Sequence, residues 1–170
     1  MGFFDKLFGG KSKDENTAKF TNQSKTVLTP LQGKVLAQAD IPDETFAQGI
    51  LGPGCGIEPT GDTVYAPFDG TVTQIATTLH AVGITSNDGI ELLIHVGMDT
   101  VDMKGQGFTA LVKESQKVSA GTPLLKVDLD AIRAAGHPTA TAIIVTDGAG
   151  DEVKMLAEGD VAPGTPLFKV

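Results

Sequence analysis

The chain has 170 residues, a formal net charge of -8 and a sequence pI of about 4.7, a size for one domain plus a tail, with room for a core. The acidic balance argues against nucleic-acid binding, which calls for a basic face, and suits a protein that meets basic partner surfaces. The single cysteine, Cys55, rules out an internal disulfide framework, and with no signal peptide or run of roughly 18 apolar residues the expected place is the reducing cytoplasm.

Residues 1–25 read as a tail. Phe3, Phe4, Leu7 and Phe8 fall on one stripe at helical spacing, with Asp5 and Lys6 off it. This short amphipathic segment, residues 1–10, suits weak contact with the inner membrane face or a protein surface, and it is too short for a stable helix alone in water. Lys6 stands where a myristoylation pattern needs Ser or Thr. Lys11 to Lys25 is polar and reads as a flexible linker.

The domain is expected at 26–170. Val27 to Leu36 suggests strand, turn and strand, and a near copy follows at Tyr65 to Val72. A second pair is Val118-Ser-Ala-Gly-Thr-Pro-Leu-Leu-Lys-Val127 and Val161-Ala-Pro-Gly-Thr-Pro-Leu-Phe-Lys-Val170. With 21 glycines and 9 prolines, the pattern predicts an all-β fold. It would be a compact antiparallel β-sandwich or barrel with internal pseudo-repeats and few short helices. Helical turns are expected after Pro42 at Asp43 to Phe46, at Phe108 to Glu114, and at Asp128 to Ala135 ahead of Gly136. Thr141 to Val145 returns to strand. Cys55, in Gly-Pro-Gly-Cys-Gly, reads as a small loop residue.

Two of the three histidines, His80 and His95, lie between Thr77 and Val101, on either side of Ser86-Asn87-Asp88-Gly89. Turn residues between Val-, Ile- and Leu-rich runs predict a hairpin. A two-residue loop at Asn87-Asp88, the favoured register, sets His80 opposite His95 with Cβ atoms roughly 5 Å apart. A loop at Asp88-Gly89 makes them diagonal neighbours on one face, and only an odd-length loop separates them. Alternation then puts Leu79, Ala81, Leu92, Ile94 and Val96 toward the core. The opposite face carries Thr78, His80, Val82, Ile84, Glu91, Leu93, His95 and Gly97. Imidazoles among apolar residues suit a docking patch around a reactive centre, although a pair of half-buried histidines is also an ordinary structural feature.

The stretch from Gly89 through His95, Gly97 and Thr100 resembles the active-site signature of glucose-type enzyme IIA of the bacterial phosphotransferase system. Pro59-Thr60-Gly61, Ala66-Pro67 to Gly70-Thr71, Thr78-x-His80-Ala81 and Asp99-Thr100-Val101 extend the similarity over about 26–170. The opening Met-Gly-x-Phe-Asp-Lys-Leu resembles that family's membrane-associating tail. The resemblance implies a phosphocarrier phosphorylated on His95 through Nε2, with His80 orienting and stabilising the phosphoryl group and Thr78 orienting His80. It implies Asp43, Phe46, Val82, Leu93 and Asp99 as partner-binding residues. The donor would be the phosphorylated histidine carrier protein and the acceptor a cysteine on the enzyme IIB domain of a sugar permease. Regulated transporters or kinases would be further partners, and no cofactor is required. Ala76 and Leu93 stand where Phe is expected in the family, and Thr45 where Val is.

Three other readings use the same residues. A zinc hydrolase wants three protein ligands and an open position, but the chain has only three histidines and no His-x-His or His-Glu-x-x-His, and His137, before Pro138, reads as a structural or solvated loop residue. Zinc held by His80, His95 and a partner's carboxylate at an interface is the narrower form of that idea. A lipoyl-type carrier would need a modified lysine, for which Lys104 is the nearest candidate. A regulatory binding module without chemistry would use the patch alone.

Overall fold

Each sequence repeat folds as two strands around a Pro- and Gly-bearing turn, and the two kinds of repeat pair with one another. The computed structural model describes residues 20–170. The first pair of repeats forms β1 (Thr26–Leu28) with β2 (Gly33–Leu36), and β4 (Thr63–Tyr65) with β5 (Gly70–Ile75). The second forms β9 (Lys117–Val118) with β10 (Pro123–Val127), and β13 (Asp160–Val161) with β14 (Pro166–Lys169). The strand β1 pairs with β14 as β4 does with β10, and β2 with β13 as β5 does with β9. The registers correspond residue by residue. Val27 faces Phe168 and Val64 faces Leu125, while Gly33 faces Val161 and Gly70 faces Val118. Two reciprocal hydrogen bonds join the halves: Leu28 N–H donates to Pro67 O at 3.0 Å, and Tyr65 N–H to Pro30 O at 2.8 Å.

The remaining strands are β3 (Gly54–Pro59), β6 (Ala81–Ser86), β7 (Glu91–His95), β8 (Phe108–Ala110), β11 (Thr141–Asp147) and β12 (Lys154–Met155). They complete an antiparallel eight-stranded sheet ordered β13-β2-β3-β11-β7-β6-β5-β9, with two three-stranded sheets, β1-β14-β12 and β4-β10-β8. The order of the large sheet is symmetric about the β11–β7 pair, each half running out through equivalent repeat strands. Alternation along this pair divides the interior. Leu92, Ile94, Ile143 and Val145 enter the main core, whereas Leu93, Ala142 and Ile144 face a smaller cluster with Ile41, Phe46 and Met98. That second cluster is roofed by α1 (Glu44–Ala47).

Asp43 caps α1, its carboxylate accepting from the backbone of Thr45 at 2.9 Å and Phe46 at 3.3 Å, which satisfies donors a one-turn helix would otherwise leave open. Asp128 caps α2 (Leu129–Ala134), which ends before Gly136 at φ 83°. Two 3₁₀ turns lie at Gln38–Asp40 and Thr100–Met103. Among the described residues no helix is long and apolar enough to cross a membrane.

Three expectations change. Phe108 to Ala110 is a strand paired with β10, not the start of a helix. A short helix is costly to nucleate, and here the backbone finds ladder partners while Phe108 is buried. Cys55 lies inside β3, paired with Ile143, rather than in a loop. The body also begins before residue 26: Phe20 packs on Tyr65 at 5.5 Å between ring centroids, and the backbone of Lys25 donates to the Asp88 carboxylate at 2.7 Å. The expected amphipathic segment at residues 1–10 lies outside the described residues.

Candidate functional site

His95 is the last residue of β7, and its cross-strand neighbours are Ala81 on β6 and Ala142 on β11. Two small residues leave room above the sheet for the imidazole. Phe46 of α1 closes one side, its ring centroid 5.0 Å away at 55°.

The favoured hairpin register is not the one the chain adopts. Ala81 faces His95, and Thr85 faces Glu91. The loop is the odd-length one, Asn87-Asp88-Gly89, closed by Ser86 N–H to Ile90 O at 2.8 Å and Gly89 N–H to Ser86 O at 3.1 Å. A two-residue loop of the preferred kind wants φ > 0 at both central residues, and neither Asn87 nor Asp88 has it. Gly89 takes φ 96° instead, which gives the three-residue turn with its bulge. Val82 and Ile84 therefore turn inward with Leu92 and Ile94, and Val82 is 0% exposed. Its expected place on a partner-binding surface is corrected on that ground: a residue sealed in the core offers no contact.

The histidines nevertheless meet. Their ring centroids lie 4.8 Å apart at an interplanar angle of 80°. His80 is not on β6 but is the last residue of the five-residue connection between β5 and β6, in which Ala76 N–H donates to Ala81 O at 3.0 Å. Its backbone carbonyl accepts from Val96 N–H at 2.8 Å, and its ring approaches Phe108 edge-on at 6.5 Å. Thr78 Oγ1 lies 2.7 Å from His80 Nδ1.

The turn after β7 holds the other ring. His95 Nδ1–H donates to the carbonyl of Gly97 at 2.8 Å. A carbonyl only accepts, so Nδ1 carries the proton and the neutral ring presents Nε2 as a lone pair. Gly97 has φ 72°, and a Cβ there would stand 2.5 Å from Thr100 Cγ2 and 3.0 Å from Pro138 O. Buried Thr100 braces the turn, its hydroxyl donating to Val96 O at 2.6 Å. Burial holds the pKa of both histidines below the ordinary range. For His95 the neighbouring His80 adds to that effect, while the Gly97 carbonyl and Asp43 oppose it; for His80 a hydrogen bond to the backbone of Thr78 opposes it. Both rings are thus neutral near pH 7.

Family models decide what this arrangement belongs to. Residues 25–150 match the model described as phosphoenolpyruvate-dependent sugar phosphotransferase system, EIIA 1.

The chain belongs to this EIIA family.

The matched family is that of the EIIA components of that system. The chain is 44% identical over 144 residues to the PTS system glucose-specific EIIA component of Halalkalibacterium halodurans, covering 85% of this chain and 83% of that one. It is 42% identical over 144 residues to the PTS system glucose-specific EIICBA component of Staphylococcus carnosus, covering 85% of this chain. It spans only 21% and 22% of the length of two such EIICBA relatives. The solved glucose permease IIA from Mycoplasma capricolum shares the β-sandwich fold with a TM-score of 0.81 and 32% identity, over 89% of this chain and 98% of that one.

Around the EIIA histidines, Phe46 is buried, Leu93 half-buried on the His95 face, Asp43 half-buried and Asp99 exposed. Sequence reading missed three exposed apolar residues flanking these elements. Ile50 (67% exposed) and Leu51 (41%) follow α1, and Val101 (51%) follows Asp99. The signal was present for the first two, an apolar pair set between Gly49 and Gly52. His137 is half-buried in the loop after α2. Among the described residues no group of three or more His, Cys, Asp and Glu side chains is placed to hold a metal ion, so the three-ligand hydrolase reading has no site there. Cys55 is buried, and burial pushes its thiol up to about 12, which leaves no thiolate to act as a nucleophile.

Proposed function

We propose that His95 is the phosphocarrier residue, taking a phosphoryl group on Nε2 from the phosphorylated histidine carrier protein and passing it to a cysteine of an EIIB domain. The observation that carries this is the hydrogen bond from His95 Nδ1–H to Gly97 O at 2.8 Å. With the proton held there, Nε2 is the nucleophile. As the Nε2–P bond forms, the P–N bond of the donor's phosphohistidine breaks. In the onward step a cysteine thiolate forms a P–S bond and the ring departs as neutral imidazole, because Nδ1 keeps its proton throughout.

Phosphoryl transfer depends on in-line placement and on stabilising charge spread over three oxygens. In this reading the Thr78 hydroxyl, 2.7 Å from His80 Nδ1, donates to it, which leaves His80 Nε2–H as a donor to those oxygens. Leu93 and the exposed Ile50, Leu51 and Val101 supply the apolar surface on which donor and acceptor dock, with Phe46 packed against His95 and Asp43 and Asp99 meeting the partners' basic residues. Names such as EIICBA, in which EIIA is joined to EIIB and EIIC, support the EIIB acceptor. The added phosphoryl charge changes the docking rim, so free and phosphorylated forms offer regulated partners different surfaces.

The test is intact mass after incubation with phosphoenolpyruvate, enzyme I and the histidine carrier protein. One acid-labile phosphoryl group is expected in the wild type and none in His95→Gln. Uptake by His95→Gln would sink the assignment.

A further inference from the structure

Leu79, between Thr78 and His80, has its backbone at φ 63°. It is the only apolar residue among the described non-glycine residues in that left-handed region, the others being Lys25, Asp99, Lys104 and Ser115. Asn, Asp and Gly tolerate this conformation far better than a bulky side chain does. Its place is held on both sides. Leu79 N–H donates to Ala76 O at 2.8 Å, and the next carbonyl, that of His80, accepts from Val96 N–H at 2.8 Å. The Leu79 side chain is half-buried against the main core, and its Cδ1 reaches the loop after the second 3₁₀ turn, 3.9 Å from where a Cβ on Gly105 would stand.

The register makes this conformation matter. His95 stands opposite Ala81, and His80 is bonded to Val96. Neighbouring positions on a regular strand point to opposite faces, so plain alternation would send the two imidazoles apart. They are 4.8 Å apart.

We propose that Leu79 is a positioning residue: its left-handed backbone, in the loop before β6, turns the His80 ring onto the face of the sheet that carries His95. The kinetic consequence rests on the role proposed above for His80; the geometric one does not.

Leu79→Asn and Leu79→Ala separate the backbone from the side chain. Both remove the apolar anchor, but only Asn is suited to positive φ. In Leu79→Asn the His80 titration, followed by NMR, should stay as depressed as in the wild type, and onward transfer to EIIB should stay within about twofold. In Leu79→Ala the ring should leave its buried place, its midpoint rising toward the ordinary value, and onward transfer should fall about tenfold or more as one charge-stabilising donor is lost. Equal midpoints and equal rates in the two variants, whether both normal or both impaired, would overturn the proposal. A wild type that takes up no phosphoryl group would count against the carrier reading alone, since the titration still reports the hold on His80.

Discussion

The ring of His95 is tied to its own chain two residues on, Nδ1–H to the carbonyl of Gly97 at 2.8 Å. Gly97 sits at φ 72° in a turn packed against Thr100 and Pro138. Backbone turn and ring tautomer are therefore one unit.

Replacing Gly97 by Ala should break this unit. The new methyl would overlap Thr100 Cγ2, at 2.5 Å, and the left-handed backbone would be strained. A loss of about 2–3 kcal/mol is expected by urea denaturation, with slowed phosphoryl uptake from a displaced ring. Wild-type stability would show that the turn relaxes without cost.

His80→Gln should still accept a phosphoryl group, because His95 Nε2 is untouched. Onward transfer should fall by roughly 10²–10³, the usual effect of losing one donor to developing charge. Single-turnover transfer to an EIIB domain measures it, and normal transfer would remove His80 from the mechanism.

Thr78→Val deletes the hydroxyl 2.7 Å from His80 Nδ1, whereas Thr78→Ser keeps it. The Val variant should show a mixed His80 tautomer in ¹⁵N spectra and about tenfold slower onward transfer, with Ser close to wild type. Identical spectra in the two would rule out the orienting role.

Both histidines have folded pKa values lowered by burial, below the ordinary 6.5. The sign follows: at pH values below 6.5 the unfolded chain takes up protons that the folded one refuses, so stability is full above 6.5 and falls as pH drops toward the folded values. Urea midpoints between pH 7.5 and 5 should fall with acidity, and a His80→Gln, His95→Gln double variant should show a shallower fall. An identical slope would contradict the burial argument.

Cys55, with its thiol pushed up to about 12, should resist alkylation at pH 8 in the folded protein and react in urea. Cys55→Ala should keep full phosphoryl uptake; a loss greater than its stability change would reopen a chemical role.

Much of this was legible in the residues. The repeats predicted an all-β body because a Pro-Gly turn between short apolar runs has few alternatives. Asp43 and Asp128 announced their helices because caps act locally. The histidine signature pointed to the family, and His80 and His95 do lie close together, 4.8 Å between ring centroids. Tertiary structure decided the rest. Hairpin register depends on one backbone angle at Gly89 and on packing that buries Val82 and Ile84, neither of which a loop sequence specifies uniquely. Phe108 became a strand because β10 offered it a hydrogen-bonding edge from far along the chain. The meeting of His80 and His95 needed both, since strand alternation alone would have parted them. Local signals are written residue by residue, whereas the direction in which a side chain finally points is set by contacts the chain makes only once folded.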